Sequence, residues 1–343
     1  MSSIFNLFRS SSASDFSLPY ARKTADWNIV LWLLVPAWLL FWLWTNPPHG
    51  FDLAFEHQFY VNNAWPLHAD GRIEFWLHFM PKVISGVLFA CVLGALTYLH
   101  QCRRAAVILG DHEDAAHCNL ILSRLYYAVG AALLCVGLLW WLKQSTGVSC
   151  PWSVTEFGGS AAVADPGLPF LPKPGRCWPS GAAGSGFCLL PLYFAFRDFR
   201  PRLARLLLAL ALLSGFGAGF ARVVVGAHFP SHVFAALALD WLISAGIYIA
   251  AFDRAGLVRK LRALLPFGRR LTEDQPGRVT LYLFTSLWWA IVFNGPMTAK
   301  LAIDNNLVTT DSLILSLGTT AAFAFVSAAI IELCGLLPKM VFR

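Results

Sequence analysis

The chain has 343 residues, of which 57% are hydrophobic and only 13% are charged, and its mean hydropathy is +0.59. A soluble domain carries roughly twice that charged fraction, so most of the apolar side chains must face lipid and a soluble enzyme is excluded. The formal net charge is +7, but the basic residues gather in short loops between apolar stretches. That arrangement orients a membrane protein, and we therefore expect no nucleic-acid partner.

Residues 1–26 are polar and rich in serine, and no small-residue cleavage site follows the first apolar run. We therefore expect a cytoplasmic N-terminal segment before a retained first helix. Apolar stretches of about 20 residues then predict an all-α polytopic membrane protein. The predicted spans are 27–45, 82–100, 121–142, 182–196, 203–220, 230–252, 279–299 and 311–335.

The basic residues predict the orientation of these spans. If all eight segments cross the membrane, the basic clusters at 22–23, 103–104, 197–202 and 254–270 fall on one side. By the positive-inside rule that side is cytoplasmic, so both termini are predicted to lie inside. The short fourth span is retained because its omission breaks this charge pattern.

The spans divide into a six-helix core and two additional transmembrane helices. The core covers residues 27–252, and a basic cytoplasmic linker at 253–278 separates it from a two-helix membrane segment at 279–343. We expect the basic linker to lie beside anionic lipid.

Two polar segments contain residue types that bind metals. Residues 111–117 carry acidic residues and histidines, and we interpret them as a solvated cytoplasmic linker. Residues 46–81 carry four histidines mixed with aromatic residues, which is typical of an interfacial amphipathic helix. No metal and no cofactor is predicted.

Three clusters lie where predicted helices meet the outward surface. They are Lys143–Trp152, Gly175–Ala182 with Arg176 and Ser180, and Arg222–His232 with His228. Taken alone, Lys143 is a snorkelling anchor at a helix end. Together, the lysine, the arginines and a histidine pair suit a phosphate anion, because arginine donates forked hydrogen bonds to phosphate oxygens. Ionisable groups near membrane depth are functional candidates.

The three clusters resemble the signature of the type 2 phosphatidic acid phosphatase superfamily: KxxxxxxRP, PSGH and SRxxxxxHxxxD. The resemblance covers about residues 27–252 and implies a lipid phosphatase in which His228 attacks the phosphorus and forms a phosphohistidine. It also implies that the phosphate oxygens are held by Lys143, Arg222, Ser180 and the amide of Gly181. None of these roles needs a metal.

The chain departs from this signature at four positions. Cys150 replaces the arginine of the first motif, and Arg176 is the candidate substitute. Ala221 replaces a serine. His232 replaces the aspartate that orients the nucleophile, and because an imidazole accepts a hydrogen bond only when neutral, we expect activity to favour neutral or higher pH.

The fourth departure is Ala182, which stands where the superfamily has a histidine that protonates the leaving oxygen. Loss of a general acid lowers the rate by about two to four orders of magnitude. We therefore expect the chain as written to be inactive or much weakened, through a disabling substitution. The alternative is a natural pseudoenzyme.

Cys150 and Cys177 are the two cysteines that fall in the outward loops, which face an oxidising compartment. The remaining six lie in apolar runs or on the cytoplasmic side. A Cys150–Cys177 disulfide that joins the first two motifs is therefore predicted.

Beyond the core, residues 287–296 and the helix after them resemble the opening of phosphoethanolamine transferases that modify lipid A. If so, the chain is the front part of a longer fusion; the alternative is two additional packing helices. With the transferase resemblance, the leading expectation is a periplasmic-facing phosphatase of the bacterial inner membrane that acts on the 1-phosphate of lipid A. The alternatives are an undecaprenyl pyrophosphate phosphatase, a phosphotransferase between these lipids, and a non-catalytic lipid-phosphate binder.

Overall fold

The computed structural model describes residues 30–68, 70–167, 175–253, 321–322 and 324–331. Over these residues the protein is helical and contains no β-strand, which confirms the predicted all-α class. The predicted segment 1–26, the linker from residue 254 to 278 and most of the segment 279–343 lie outside the described residues.

Most helices lie in the predicted apolar segments, but the predicted span 182–196 forms two short helices, and a further helix lies outside the predicted spans. The helices are α1 (Val35–Thr45), α2 (His49–Glu56), α3 (Gly71–Ile108), α4 (His112–Ser145), α5 (Gly181–Phe187), α6 (Leu190–Phe196), α7 (Pro201–Val224) and α8 (Pro230–Phe252). Four of them, α3, α4, α7 and α8, are long and apolar enough to cross a membrane. This result supports the prediction of a membrane protein.

The interpretation of residues 111–117 as a linker is wrong. Helix α4 begins at His112, and Asp111 caps it by accepting a hydrogen bond from the Asp114 backbone N–H at 3.0 Å. Acidic residues in the first turn stabilise a helix N-terminus, so this polar segment extends the helix instead of interrupting it.

The segment 46–81 forms two helical pieces where a single interfacial helix was predicted. Helix α2 is separated by turns from the start of α3, whose segment Glu74–Phe79 is π-helical. Helix α2 buries Asp52 and Glu56, so its polar face points into the protein.

Helix α8 is the centre of the bundle and α3 lies at its edge. The apolar window of α8 is 78% buried, against 17% for α3, so α3 presents most of its surface outward. Helices α5 and α7 approach closely, because a Cβ atom on Gly186 would lie 2.2 Å from the backbone nitrogen of Gly215.

A cluster of polar and aromatic side chains lies toward the end of the bundle at which α4 begins. Arg124 forms an ion pair with Asp198 at 3.1 Å, and its guanidinium lies 3.9 Å from the centre of the Phe252 ring. The Tyr248 hydroxyl also donates to Asp198. Nineteen residues separate Arg124 from Lys143 on α4, or about 28 Å of helix, roughly the thickness of a bilayer core.

Residues 324–331 are helical and pack against the core. A Cβ atom on Gly130 of α4 would lie 2.9 Å from the Ile330 side chain. The described part of the C-terminal segment therefore contacts α4 directly.

Candidate active site

One end of the bundle collects the ends of four helices. Lys143 lies in the last turn of α4, Ser180 caps α5, Arg222 lies in the last turn of α7 and His232 lies in the first turn of α8. His228 occupies the loop between α7 and α8. The fold thus gathers most of the site residues predicted from the three sequence clusters.

The start of α5 contacts both α4 and α8. The Ser180 hydroxyl oxygen accepts a hydrogen bond from the Ala183 N–H at 3.4 Å, and the Ser180 N–H donates to the His232 carbonyl at 3.0 Å. A Cβ atom on Gly181 would lie 3.8 Å from the Lys143 amine nitrogen. The Gly181 backbone therefore lies beside the lysine side chain.

His228 is held by the backbone at the end of α7. Its N–H donates to the Arg222 carbonyl at 3.1 Å, and the turn before it passes through Gly226 at φ +74°, a conformation that suits glycine. Burial lowers the pKa of His228 well below its ordinary value of 6.5, and the neighbouring charges of His232, Lys143 and Arg222 lower it further. The imidazole is therefore neutral near pH 7, as a nucleophile must be.

His232 lies beside His228. The ring centres of His228 and His232 are 5.9 Å apart, and each Nδ1 atom is buried without a hydrogen-bond partner among the described residues. The role of His232 as acceptor for His228 stays a prediction.

Arg222 is paired with an acidic residue that the sequence analysis did not select. Its Nη1 donates to Glu74 Oε2 at 3.1 Å, and its guanidinium lies 5.6 Å from the Trp152 ring. Glu74 lies on α3, and on that helix His78 Nδ1 is hydrogen-bonded to Glu74, while His78 Nε2 lies 2.6 Å from Lys82 Nζ. The spacing of these three residues, four apart on a helix, was the available sequence signal.

The disulfide links the loops that follow α4 and precede α5. The structure pairs Cys150 with Cys177, whose Cα atoms are 5.3 Å apart. The adjacent Arg176 is exposed. Arg176 as a phosphate ligand therefore stays a prediction.

Helix α2 supports the start of α8 through the buried carboxyl group of Asp52. Asp52 accepts hydrogen bonds from the backbone N–H of Ser231 at 3.0 Å and from its hydroxyl at 2.5 Å. Burial raises the pKa of Asp52 to about 6. Burial, with the Asp52 charge second, raises the pKa of Glu56 to about 9. Sequence reasoning also missed this pair.

Fold and site together define a helical membrane protein in which the cations Lys143 and Arg222 act on a buried, neutral histidine. Across the part of the chain that the structure describes, no three histidine, cysteine, aspartate or glutamate side chains form a metal site. Residues 122–255 match the family model of the PAP2 superfamily, whose members are phosphatases of phosphorylated lipid-like substrates. The match supports the superfamily assignment for this part of the chain and includes all three clusters. No curated protein and no solved structure matches the chain.

Proposed function

We propose that this protein is a membrane lipid phosphatase that removes phosphate from a lipid headgroup through a phosphohistidine intermediate. The observation that carries the proposal is His228, buried and neutral, within the electrostatic reach of Lys143 and Arg222. Those cations stabilise the charge that develops on the phosphate oxygens during transfer. Because none of these roles needs a metal, we expect turnover to persist in the presence of a chelator.

The proposed location of the site is the periplasmic face of a bacterial inner membrane. The helix ends that form the site lie opposite the Arg124–Asp198 end of the bundle. The charge pattern of the loops supports a cytoplasmic location for that opposite end, and hence for both termini.

The proposed substrate is the 1-phosphate of lipid A. The resemblance of residues 287–296 to a lipid A phosphoethanolamine transferase supports this choice, because such a fused or partner enzyme acts on the same lipid. Undecaprenyl pyrophosphate is the competing substrate, since it requires the same membrane, leaflet and chemistry.

A non-catalytic lipid-phosphate binder is the second candidate function. Ala182 favours it, because this residue is 7% exposed and has no group that donates a proton to the leaving oxygen. The anion-binding side chains are retained in either case.

Phosphate release from lipid A and from undecaprenyl pyrophosphate tests these proposals in detergent, with the chain as given and its Ala182→His and His228→Asn variants. We expect release from lipid A, faster with Ala182→His and absent with His228→Asn. Release from the undecaprenyl lipid alone overturns the substrate. Binding of both lipids without release from either, in the chain as given and in Ala182→His, supports the non-catalytic binder.

A further inference from the structure

The Lys82 side chain on α3 is joined to Arg222 by a short chain of hydrogen bonds. Its amine nitrogen lies 2.6 Å from His78 Nε2, and His78 Nδ1 is hydrogen-bonded to one carboxylate oxygen of Glu74. The other oxygen of Glu74 accepts from Arg222 Nη1 at 3.1 Å. An imidazole that accepts from an ammonium at Nε2 and donates from Nδ1 is neutral. His78 therefore orients Lys82 without cancelling its charge.

Lys82 belongs to the same group of cations as two of the predicted phosphate ligands. The electrostatic neighbours of Lys143 are Arg222 and Lys82, both of them cations. Lys82 in turn interacts with Arg222 and with Glu74. Like charges at short range repel each other, and in this set three cations face one carboxylate. A bound anion such as phosphate offsets the excess of positive charge.

The packing of α3 against α5 sets the depth of Lys82 in the bundle. The Ser85 hydroxyl lies 2.6 Å from the Ser185 carbonyl, and both helices begin at the site end. Lys82 precedes Ser85 by three residues. Ala182 likewise precedes Ser185 by three residues, so the backbones of Lys82 and Ala182 lie at about the same depth. Lys82 is therefore level with the first turn of α5, which carries the proposed phosphate-binding amide.

The superfamily signature contains a further cation that this chain lacks. Cys150 stands in place of that arginine and is held in a disulfide. Arg176 is the substitute that the sequence suggests. The structure instead places Lys82 within electrostatic reach of both Lys143 and Arg222.

A lysine near the end of a membrane helix is often an anchor that extends toward the lipid headgroups. Arg72, close to the start of α3, shows that arrangement, because its side chain is 88% exposed and pairs with Asp70 two residues away. Lys82 is also exposed, as access for a headgroup requires. It differs from Arg72 because its hydrogen bonds lead to Arg222 and because its charge acts on Lys143.

We propose that Lys82 is a cationic ligand of the transferred phosphate and takes the place of the arginine that Cys150 replaces. The inference rests on the proposed phosphatase function. One N–H of the Lys82 ammonium donates to His78, and the other two are available to phosphate oxygens. With Lys143 and Arg222, Lys82 stabilises the negative charge on those oxygens during transfer.

The test measures phosphate binding and turnover separately in detergent. Calorimetry gives the dissociation constant for inorganic phosphate, and phosphate release gives kcat/KM for phosphatidic acid and for para-nitrophenyl phosphate. We expect Lys82→Met, which removes the charge and keeps the length of the side chain, to weaken phosphate binding about tenfold. It should lower kcat/KM on both substrates by about tenfold to a hundredfold. Lys82→Arg should stay within about threefold of the unaltered chain, because it restores the cation of the signature.

Two further variants test whether the effect belongs to Lys82. Arg72→Met removes an exposed cation from the same helix and is the matched control, with unchanged phosphate binding and turnover. Arg176→Met is the competing variant, since the larger loss identifies the cation that has replaced the arginine. We expect that larger loss in Lys82→Met. A thermal melt of each variant checks that the fold is retained.

The outcomes separate this inference from the proposed function. Unchanged phosphate binding in Lys82→Met, an equal loss in Arg72→Met, or a larger loss in Arg176→Met overturns the role of Lys82 and leaves the phosphatase intact. Phosphate binding that Lys82→Met weakens, without release from any substrate by the unaltered chain or by Ala182→His, overturns the phosphatase and keeps Lys82 as an anion ligand. No phosphate binding by the unaltered chain overturns both.

Discussion

Asp52 accepts two hydrogen bonds from Ser231, from the backbone N–H at 3.0 Å and from the hydroxyl at 2.5 Å. Ser231 follows the first residue of α8, and His232 comes next in the chain. The carboxyl group thus caps the helix that carries one of the two site histidines, from a segment 179 residues away. This contact couples the position of His232 to the packing of α2.

We expect Asp52→Ala to destabilise the protein by about 1–3 kcal/mol, because it leaves two buried donors of Ser231 without an acceptor. Asp52→Asn, which keeps one acceptor oxygen, should cost less. The measurement is the free energy of unfolding in detergent. Asp111→Ala removes an exposed cap from α4 and serves as the control, with a smaller expected loss. Equal losses for the two alanine variants would contradict the buried cap.

Glu56 should make stability depend on pH. Its pKa is raised from 4.5 to about 9 in the folded protein, so between these values the folded state holds a proton that the unfolded state has lost. Stability therefore falls as the pH rises through this window, by about 1.4 kcal/mol per pH unit. Unfolding measured from about pH 7.5 to 8.5 should show this slope, well above the pKa of about 6 to which burial raises Asp52.

The control for this slope is Glu56→Gln, which keeps the shape of the side chain and carries no titratable proton. We expect the variant to be more stable than the parent at pH 8 and to lose most of the slope. Parallel pH profiles for the two proteins would show that Glu56 does not hold its proton on folding.

Hydropathy and motif spacing depend on residues close together in sequence, and they predicted the long helices and the site residues at the helix ends. The long apolar segments became α3, α4, α7 and α8, and the predicted positions of Lys143, Ser180 and Arg222 fell at helix ends on one side of the bundle. Helix boundaries were less accurate, because polar residues such as those at 111–117 continue a helix beyond its apolar part.

The residues that sequence reasoning missed reach the site through tertiary packing. Glu74 and Arg222 are 148 residues apart in sequence, and Asp52 and Ser231 are 179 apart. Neither acidic residue belongs to a motif, and both lie outside the residues that match the PAP2 superfamily. A histidine or carboxylate in a polar loop is typical of a solvated surface, so only its contacts identify it.

The Glu74 carboxylate should compete with phosphate for Arg222, since Glu74 pairs with the guanidinium that we propose as a phosphate ligand. We expect Glu74→Gln to tighten inhibition by inorganic phosphate by about threefold to tenfold, because the variant no longer pairs its charge with Arg222. The measurement is the inhibition constant for phosphate with para-nitrophenyl phosphate as the substrate. Glu156→Gln, which alters an exposed ion pair with His57, is the control. Weaker inhibition in Glu74→Gln would contradict the competition.

Loss of the Cys150–Cys177 disulfide should destabilise the outward loops. The bridge closes a loop with a sequence separation of 27, for which the chain-entropy model gives about 3–4 kcal/mol. We expect the double serine variant to unfold at a lower temperature and the parent to approach it when reduced. Cys91→Ser, which removes an exposed free thiol, is the control. Thiol labelling that finds Cys150 and Cys177 unpaired would contradict the bridge.

The crossing of α5 and α7 depends on two glycines and can be tested against a third. A Cβ atom on Gly186 would lie 2.2 Å from the Gly215 backbone, whereas a Cβ atom on Gly217 would meet nothing within 4 Å. Because backbone atoms cannot yield as a flexible side chain does, we expect Gly186→Ala to destabilise the protein by about 1–3 kcal/mol or more. Gly217→Ala, in the interior of α7, should stabilise it by up to about 1 kcal/mol, because alanine is the better helix former. Thermal melts in detergent measure both, and a Gly186→Ala protein as stable as Gly217→Ala would show that the helices are not in close contact.

Since α5 carries Ser180 and Gly181 at its start and α7 carries Arg222 at its end, Gly186→Ala should also reduce phosphate release.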